Sequence, residues 1–369
     1  MHGRSRYAKQ VAAATAMAAL GAGVARLAGN GAAASVSFAR VARASDRSAR
    51  AEAVDVSPEP ACRARKMELT FAVRRIEAID VEGQHLRPLT HPPAGYADAF
   101  PSWSPDGTLL AFQRENVVSN SFLPSVDIYV AEADGSRPMR RVRGGFGPVW
   151  SPTGRQFLYG VSTGHDDYWQ VTDADGSGHT IELPPDAVDA VWSPDGRRIA
   201  LVTSDGSLVL TDNHGKGRRT LSRGAHLPLA WSPDGQSIAF GTQAASGGID
   251  VAHIDGSRRK QVVDEKASSL AWSPDGTQLA FVAQHAAHTQ LDVVNADGSG
   301  RKQLARGSGL KAPAWSPDGR WIAFTKFMLP TFSIYLVKPD GMQLHRLQKL
   351  SDPQGWNSTG ELTWKPCTR

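Results

Sequence analysis

Apolar residues along this chain come in runs of three or four, each bounded by turn-forming residues. Leu109-Leu110-Ala111-Phe112, Ile199-Ala200-Leu201-Val202, Ile238-Ala239-Phe240, Leu279-Ala280-Phe281 and Ile322-Ala323-Phe324 are such runs. Short runs bounded by Gly, Pro and Asp predict strands rather than helices. Each is preceded by the same punctuation. Trp-Ser-Pro-Asp-Gly stands at 103–107, 192–196, 231–235, 272–276 and 315–319, with a variant Trp150-Ser151-Pro152-Thr153-Gly154 and a truncated Trp364-Lys365-Pro366. The seven Trp lie 47, 42, 39, 41, 43 and 49 residues apart. A period near 40 residues predicts one small supersecondary unit per repeat.

The unit can be read strand by strand. An apolar strand ends at Trp. Ser-Pro-Asp-Gly then turns the chain, since Pro presets φ and Gly accepts a positive one. The apolar run is the second strand. A third follows, such as Asp127-Ile128-Tyr129-Val130 or Ser333-Ile334-Tyr335-Leu336, closed by an Asp-Gly turn at 134–135, 175–176, 255–256, 297–298 or 340–341. Asp-Gly between apolar runs is a strong hairpin signal. A more polar fourth strand completes a four-stranded antiparallel unit, which is a propeller blade.

The repeat resembles the PD40 repeat of TolB-type propellers, a relative of the WD40 repeat, over about residues 67–369. The expected fold is all-β: a seven-bladed β-propeller with its last blade closed by strands from both ends of the chain. Residues 67–73, 75–80 and 86–89 read as second, third and fourth strands lacking a first, and 361–366 reads as a first strand lacking a second. The resemblance implies protein–protein interaction, and the expectation is a non-enzymatic scaffold that binds a protein partner or, on the aromatic loop residues named below, a carbohydrate. TolB itself carries an α/β domain ahead of a six-bladed ring, and residues 1–60 are too short and too Ala/Arg-rich to match it. A second resemblance, to oligogalacturonate lyases with their seven-bladed propeller and central His ligands, implies the alternative of a metal-dependent carbohydrate-active enzyme.

Charge separates the chain into parts. The formal net charge is +5. Residues 1–66 hold 11 Lys+Arg against 4 Asp+Glu, and the remainder 30 against 32. The body is thus nearly neutral, which argues against nucleic acid as a partner. Residues 1–34 begin Arg4, Arg6, Lys9, run uncharged from Gln10 to Ala25 and reach Ala32-Ala33-Ala34, the pattern of a secretory leader. Residues 35–61 read as a disordered linker, and 62–369 as the propeller. No membrane span is expected in that body, which reads as an exported monomer, periplasmic, in the cell envelope or extracellular. The two cysteines, Cys62 and Cys367, flank the split blade, and a disulfide between them is expected. It would close a loop of about 300 residues, for which chain entropy gives about 5 kcal/mol.

Candidate chemistry is sparse. Gly160-Val161-Ser162-Thr163-Gly164 matches a nucleophile elbow, but that motif needs a strand-to-helix turn on a parallel sheet. His165, His226, His285 and His288 fall in loops that ring closure brings towards one mouth, where they are the candidate ligands of a divalent metal ion; no cofactor is the primary expectation. The longest variable segments are 91–100, 113–126, 326–332 and 351–360, in three blades that adjoin across the closure. They hold Tyr96, Arg114, Asn116, Phe122, Phe327, Trp356 and Asn357, the candidate binding residues, with Phe100 and Phe332 expected to pack inward. Aromatic groups beside a few polar ones suit a partner or sugar surface.

Overall fold

The computed structural model describes residues 67–118, 126–162, 167–177, 180–243, 247–328, 331–351 and 362–366. Their strands form seven sheets of four strands each, and every strand pair is antiparallel. Blade 1 runs from Tyr96–Trp103 to Met139–Arg143, blade 2 from Gly145–Trp150 to Ile181–Glu182, and blade 3 from Ala187–Trp192 to Arg219–Arg223. Blade 4 runs from Ala225–Trp231 to Arg259–Val263, blade 5 from Ala267–Trp272 to Lys302–Gly307, and blade 6 from Leu310–Trp315 to His345–Ser351. Blade 7 joins Leu362–Trp364 to Glu68–Ala72, Ile76–Asp80 and Arg87–Pro88. Its seam pairs Leu69 with Trp364 and Phe71 with Leu362. The two ends of the described chain therefore share one sheet, and the ring has no open blade.

Neighbouring blades meet along their first strands, which places those strands nearest the axis. The repeated Trp packs there. All seven are at most 5% exposed, and their large apolar area is what joins one sheet to the next. Except in blade 3, each blade's indole donates back to the blade before it. Trp231 Nε1 donates to Val191 O at 3.2 Å, Trp272 to Ala230 O at 3.3 Å, Trp315 to Ala271 O at 3.2 Å and Trp364 to Ala314 O at 3.2 Å. At the closure Trp103 donates instead to the Thr70 hydroxyl at 3.0 Å, and Lys365 Nζ lies 4.9 Å over its ring. Trp192 Nε1 is buried without an acceptor.

The turns explain the rest of the repeated motif. In Ser-Pro-Asp-Gly the Ser hydroxyl donates to the Asp carboxylate, at 2.6 Å for Ser193–Asp195. The same carboxylate accepts the Arg197 N–H at 3.0 Å. Burial pulls the Asp106 carboxyl upward, but the hydrogen bonds from Ser104 and Thr108 outweigh it and hold it below the ordinary range. These turns and the third-to-fourth-strand turns share one face, here the lower one. Glycine is required at the second kind of turn. Gly135 has φ +84°, and a Cβ there would stand 1.4 Å from Leu89 O on the preceding blade.

Candidate functional site

The second-to-third-strand loops and the links between blades share the upper face, with the starts of the first strands. In blade 1 the two central strands reach further up than the apolar pattern indicates. The first begins at Tyr96 and the second runs to Asn116, so Tyr96, Phe100, Arg114 and Asn116 stand on strands rather than in loops. The reason is a buried staple. Asp98 and Arg114 face each other across the pair, and Arg114 Nε and Nη2 donate to Asp98 Oδ1 and Oδ2 at 2.6 and 2.8 Å. The guanidinium also lies 4.7 Å over the Tyr129 ring and 5.4 Å over Phe112. Burial alone would lower the Arg114 value, but Asp98 outweighs it and raises it. Arg114 is thus a fixed charge beneath the surface, and Tyr96, 38% exposed, stands above it beside Asn116 and Val118.

Blade 6 is extended in the same way, by apolar contacts. Its second strand reaches Met328 and its third begins at Thr331, so Phe327 also lies on a strand. Phe327 stacks on the buried Phe332 with centroids 5.4 Å apart. Lys311 Nζ caps the Phe327 ring at 4.9 Å, and burial lowers the Lys311 value. Met328 at the tip is 63% exposed. Blade 7 ties to blade 1 through Asp98 N–H, which donates to Arg74 O at 2.8 Å. Phe100 is half-buried at φ +54° and packs in the cluster shared by blades 7 and 1. Among the described residues, Tyr96, Val118 and Met328 are the exposed large hydrophobics of the upper face. Among the described residues, blades 2 to 5 expose none on either face.

The histidines lie elsewhere. His226 is exposed on blade 4, with Nδ1 3.2 Å from Leu227 O. His285 and His288 stack on blade 5 with centroids 4.5 Å apart. His285 Nε2 is 3.7 Å from Glu265, and His288 Nδ1 is 3.4 Å from Arg306 Nη2. Loss of hydration and the positive Arg306 lower the His288 value. Among the described residues no three of His, Cys, Asp and Glu group as metal ligands. Phe122, His165, Trp356, Asn357, Cys62 and Cys367 lie outside the described residues.

Ser162 ends the second strand of blade 2, on an antiparallel sheet rather than at a strand-to-helix turn. Gly160 has a packing reason: a Cβ there would stand 2.3 Å from the Phe146 ring. The sequence reading missed Asp189, in the first strand of blade 3. It is 1% exposed, and among the described residues its carboxylate accepts a hydrogen bond only from Ala190 N–H, at 2.8 Å. Burial pushes it up to about 8. The signal was an acid inside the apolar strand Ala187–Trp192.

Seven closed, four-stranded sheets around an axis define a β-propeller. Residues 203–363 match the family model of the TolB beta propeller domain, PD40, and the ring of seven sheets makes the chain a β-propeller. TolB from Acinetobacter baumannii is similar in structure at 16% identity and TM-score 0.53, with 79% of each chain covered. Prolyl oligopeptidase B from Galerina marginata is similar at 12% identity and TM-score 0.57, covering 79% of this chain and 52% of that one. A putative 6-phosphogluconolactonase from Bacteroides uniformis is similar at 14% identity and TM-score 0.53, covering 81% and 99%. The chain thus spans about half the length of the prolyl oligopeptidase. At these identities the likeness is one of fold. No curated protein matches the sequence. Among the described residues no helix is long and apolar enough to cross a membrane.

Proposed function

We propose that the chain is an exported, non-enzymatic binding scaffold that takes a protein partner on the upper face of blades 6, 7 and 1. The observation that carries this reading is the exposure of Tyr96, Val118 and Met328 on that face, over rigid strands stapled by Asp98–Arg114 and Phe327–Phe332. Exposed apolar side chains on a rigid frame suit recognition, because little order is lost on binding. Export is supported by the basic start and uncharged run of residues 1–34.

Cross-linking of the full chain in its native host, with the captured protein identified, tests the partner. Tyr96→Ala, Val118→Ser and Met328→Ser together are expected to abolish that cross-link and leave the melting temperature within a degree or so, as surface changes do. Capture that survives all three sinks the reading, and retention of a glycan in place of a protein redirects it to carbohydrate. An alkaline phosphatase fusion after residue 66 that stays inactive in the cytoplasm counts against export.

A further inference from the structure

The lower face has an asymmetry of its own in the same three blades. The exposed large hydrophobics not on the upper face are Leu86 (42%), Met139 (55%), Met342 (64%) and Leu344 (47%). Each sits where a third-to-fourth-strand turn enters the outer strand: blade 7 for Leu86, blade 1 for Met139, and blade 6 for Met342 and Leu344. These blades are consecutive round the ring. Gly83 of blade 7 packs on Leu347 of blade 6, and Gly135 of blade 1 packs on Leu89 of blade 7, so the three turns follow one another along one outer corner.

Backbone conformation marks out the same turns. Two residues after the turn glycine the chain is left-handed in blades 1, 3, 5, 6 and 7 but not at Arg258 of blade 4, and blades 3 and 5 place Gly217 (φ +66°) and Gly300 (φ +65°) there. Blades 7, 1 and 6 instead hold His85 (φ +53°), Arg137 (φ +52°) and Gln343 (φ +56°). A side chain is thus kept at each tip where the backbone favours glycine.

Cations surround the apolar tips. Arg137, Arg140 and Arg141 flank Met139, Arg87 follows Leu86, and His345 and Arg346 follow Leu344. Lys338, at the base of the blade 6 turn, rests 5.7 Å over Trp321. The outer strands Met139–Arg143 and His345–Ser351 hold no Asp or Glu. The carboxylates nearby are Glu68, Asp80, Glu82, Asp127, Glu132, Asp134 and Asp340; Glu68 accepts from Arg87 at 2.8 Å and Asp127 from Arg140 at 3.2 Å. Asp134 and Asp340 accept turn N–H groups from Ser136 and Met342, both at 2.8 Å, and Glu132 reaches only 4.0 Å from Arg137.

We propose that this lower outer corner of blades 6, 7 and 1 docks on an anionic lipid surface. Met and Leu on separate, protruding turns do not form the compact, enclosed centre of a protein hot spot. Spread along an edge among Lys and Arg, they fit a bilayer interface: the apolar tips enter the acyl boundary and the cations meet the headgroups. The corner lies on the opposite face from the proposed partner site, and the inference does not rest on that site.

The test is sedimentation of the full chain with vesicles of phosphatidylcholine alone and of phosphatidylcholine mixed with phosphatidylglycerol. The expected result is partition onto the mixed vesicles only, weakened by salt. Leu86→Ser, Met139→Ser, Met342→Ser and Leu344→Ser combined should reduce it about tenfold or more. Lys338→Ser with Arg346→Ser, which leaves the apolar tips in place, should remove most of its salt dependence. Lys216→Ser with Arg258→Ser, on blades 3 and 4, should leave it unchanged. The proposal is overturned if the chain ignores mixed vesicles, or if the fourfold variant binds them as well as the parent. The second outcome would assign the binding to residues 1–66 or to another surface. A protein found on this corner without lipid affinity overturns it too.

Discussion

Asp189 shows what one residue in the wrong solvent does. Its carboxyl stands in the apolar first strand of blade 3 with one backbone donor, and burial raises it to about 8. The unfolded chain holds the same group near 3.9. The folded state therefore keeps a proton that the unfolded state releases, and stability falls as pH rises from about 4 towards about 8. Asp189→Asn removes that dependence. Its melting temperature relative to the parent is expected to climb between about pH 4 and about pH 9, and a flat difference in thermal melts rules this account out. Arg114 is the opposite case, a buried charge met at once by Asp98. Arg114→Ala leaves Asp98 buried and alone, for an expected loss of about 3–5 kcal/mol in denaturant unfolding.

At the scale of the element, the repeated Trp and the turn glycines carry the argument. Trp231 fills an inter-blade seam and donates to Val191 O; Trp192 fills the next seam back and has no acceptor. Trp231→Phe and Trp192→Phe lose similar apolar contact. The first loses a hydrogen bond as well, so it should cost about 1 kcal/mol more in equilibrium unfolding. Equal costs would mean that the indole bonds contribute nothing. The glycines divide in the same way. Gly135→Ala meets both φ +84° and the Leu89 carbonyl of blade 7, whereas Gly144→Ala, at φ +71°, meets nothing within 4 Å. The first is expected to destabilise well beyond the second, whose cost is the left-handed backbone alone, about 1–2 kcal/mol.

For the whole molecule the decisive joint is blade 7. Leu362–Trp364 supplies its first strand, pairs with Leu69–Phe71 and sends the Trp364 indole to blade 6. Deleting residues 362–369 would bare the Glu68–Ala72 edge and uncover apolar surface on blades 6 and 1. The expected result is a lower melting temperature with self-association on gel filtration, as open edges invite. A truncated chain that melts and elutes as the parent does would mean that the ring holds without its seam.

The sequence by itself determined the blade count, the strand order and the shared closure. All three follow from local rules: a period near 40, Trp at the end of each first strand, and Pro, Asp and Gly where the chain must turn. It also pointed to blades 6, 7 and 1 as the distinctive sector. Only the tertiary structure decided what the residues there do. It turned Arg114 from a surface donor into a buried staple, carried Tyr96 and Phe327 from loops onto strands, and explained Gly160 by the Phe146 ring. It buried Asp189 with one backbone donor and lined up four apolar tips along one corner. The physical reason is range. A turn is settled by the preferences of a few consecutive residues, whereas burial, pairing and exposure depend on what a neighbouring blade, some 40 residues away in the chain, brings alongside.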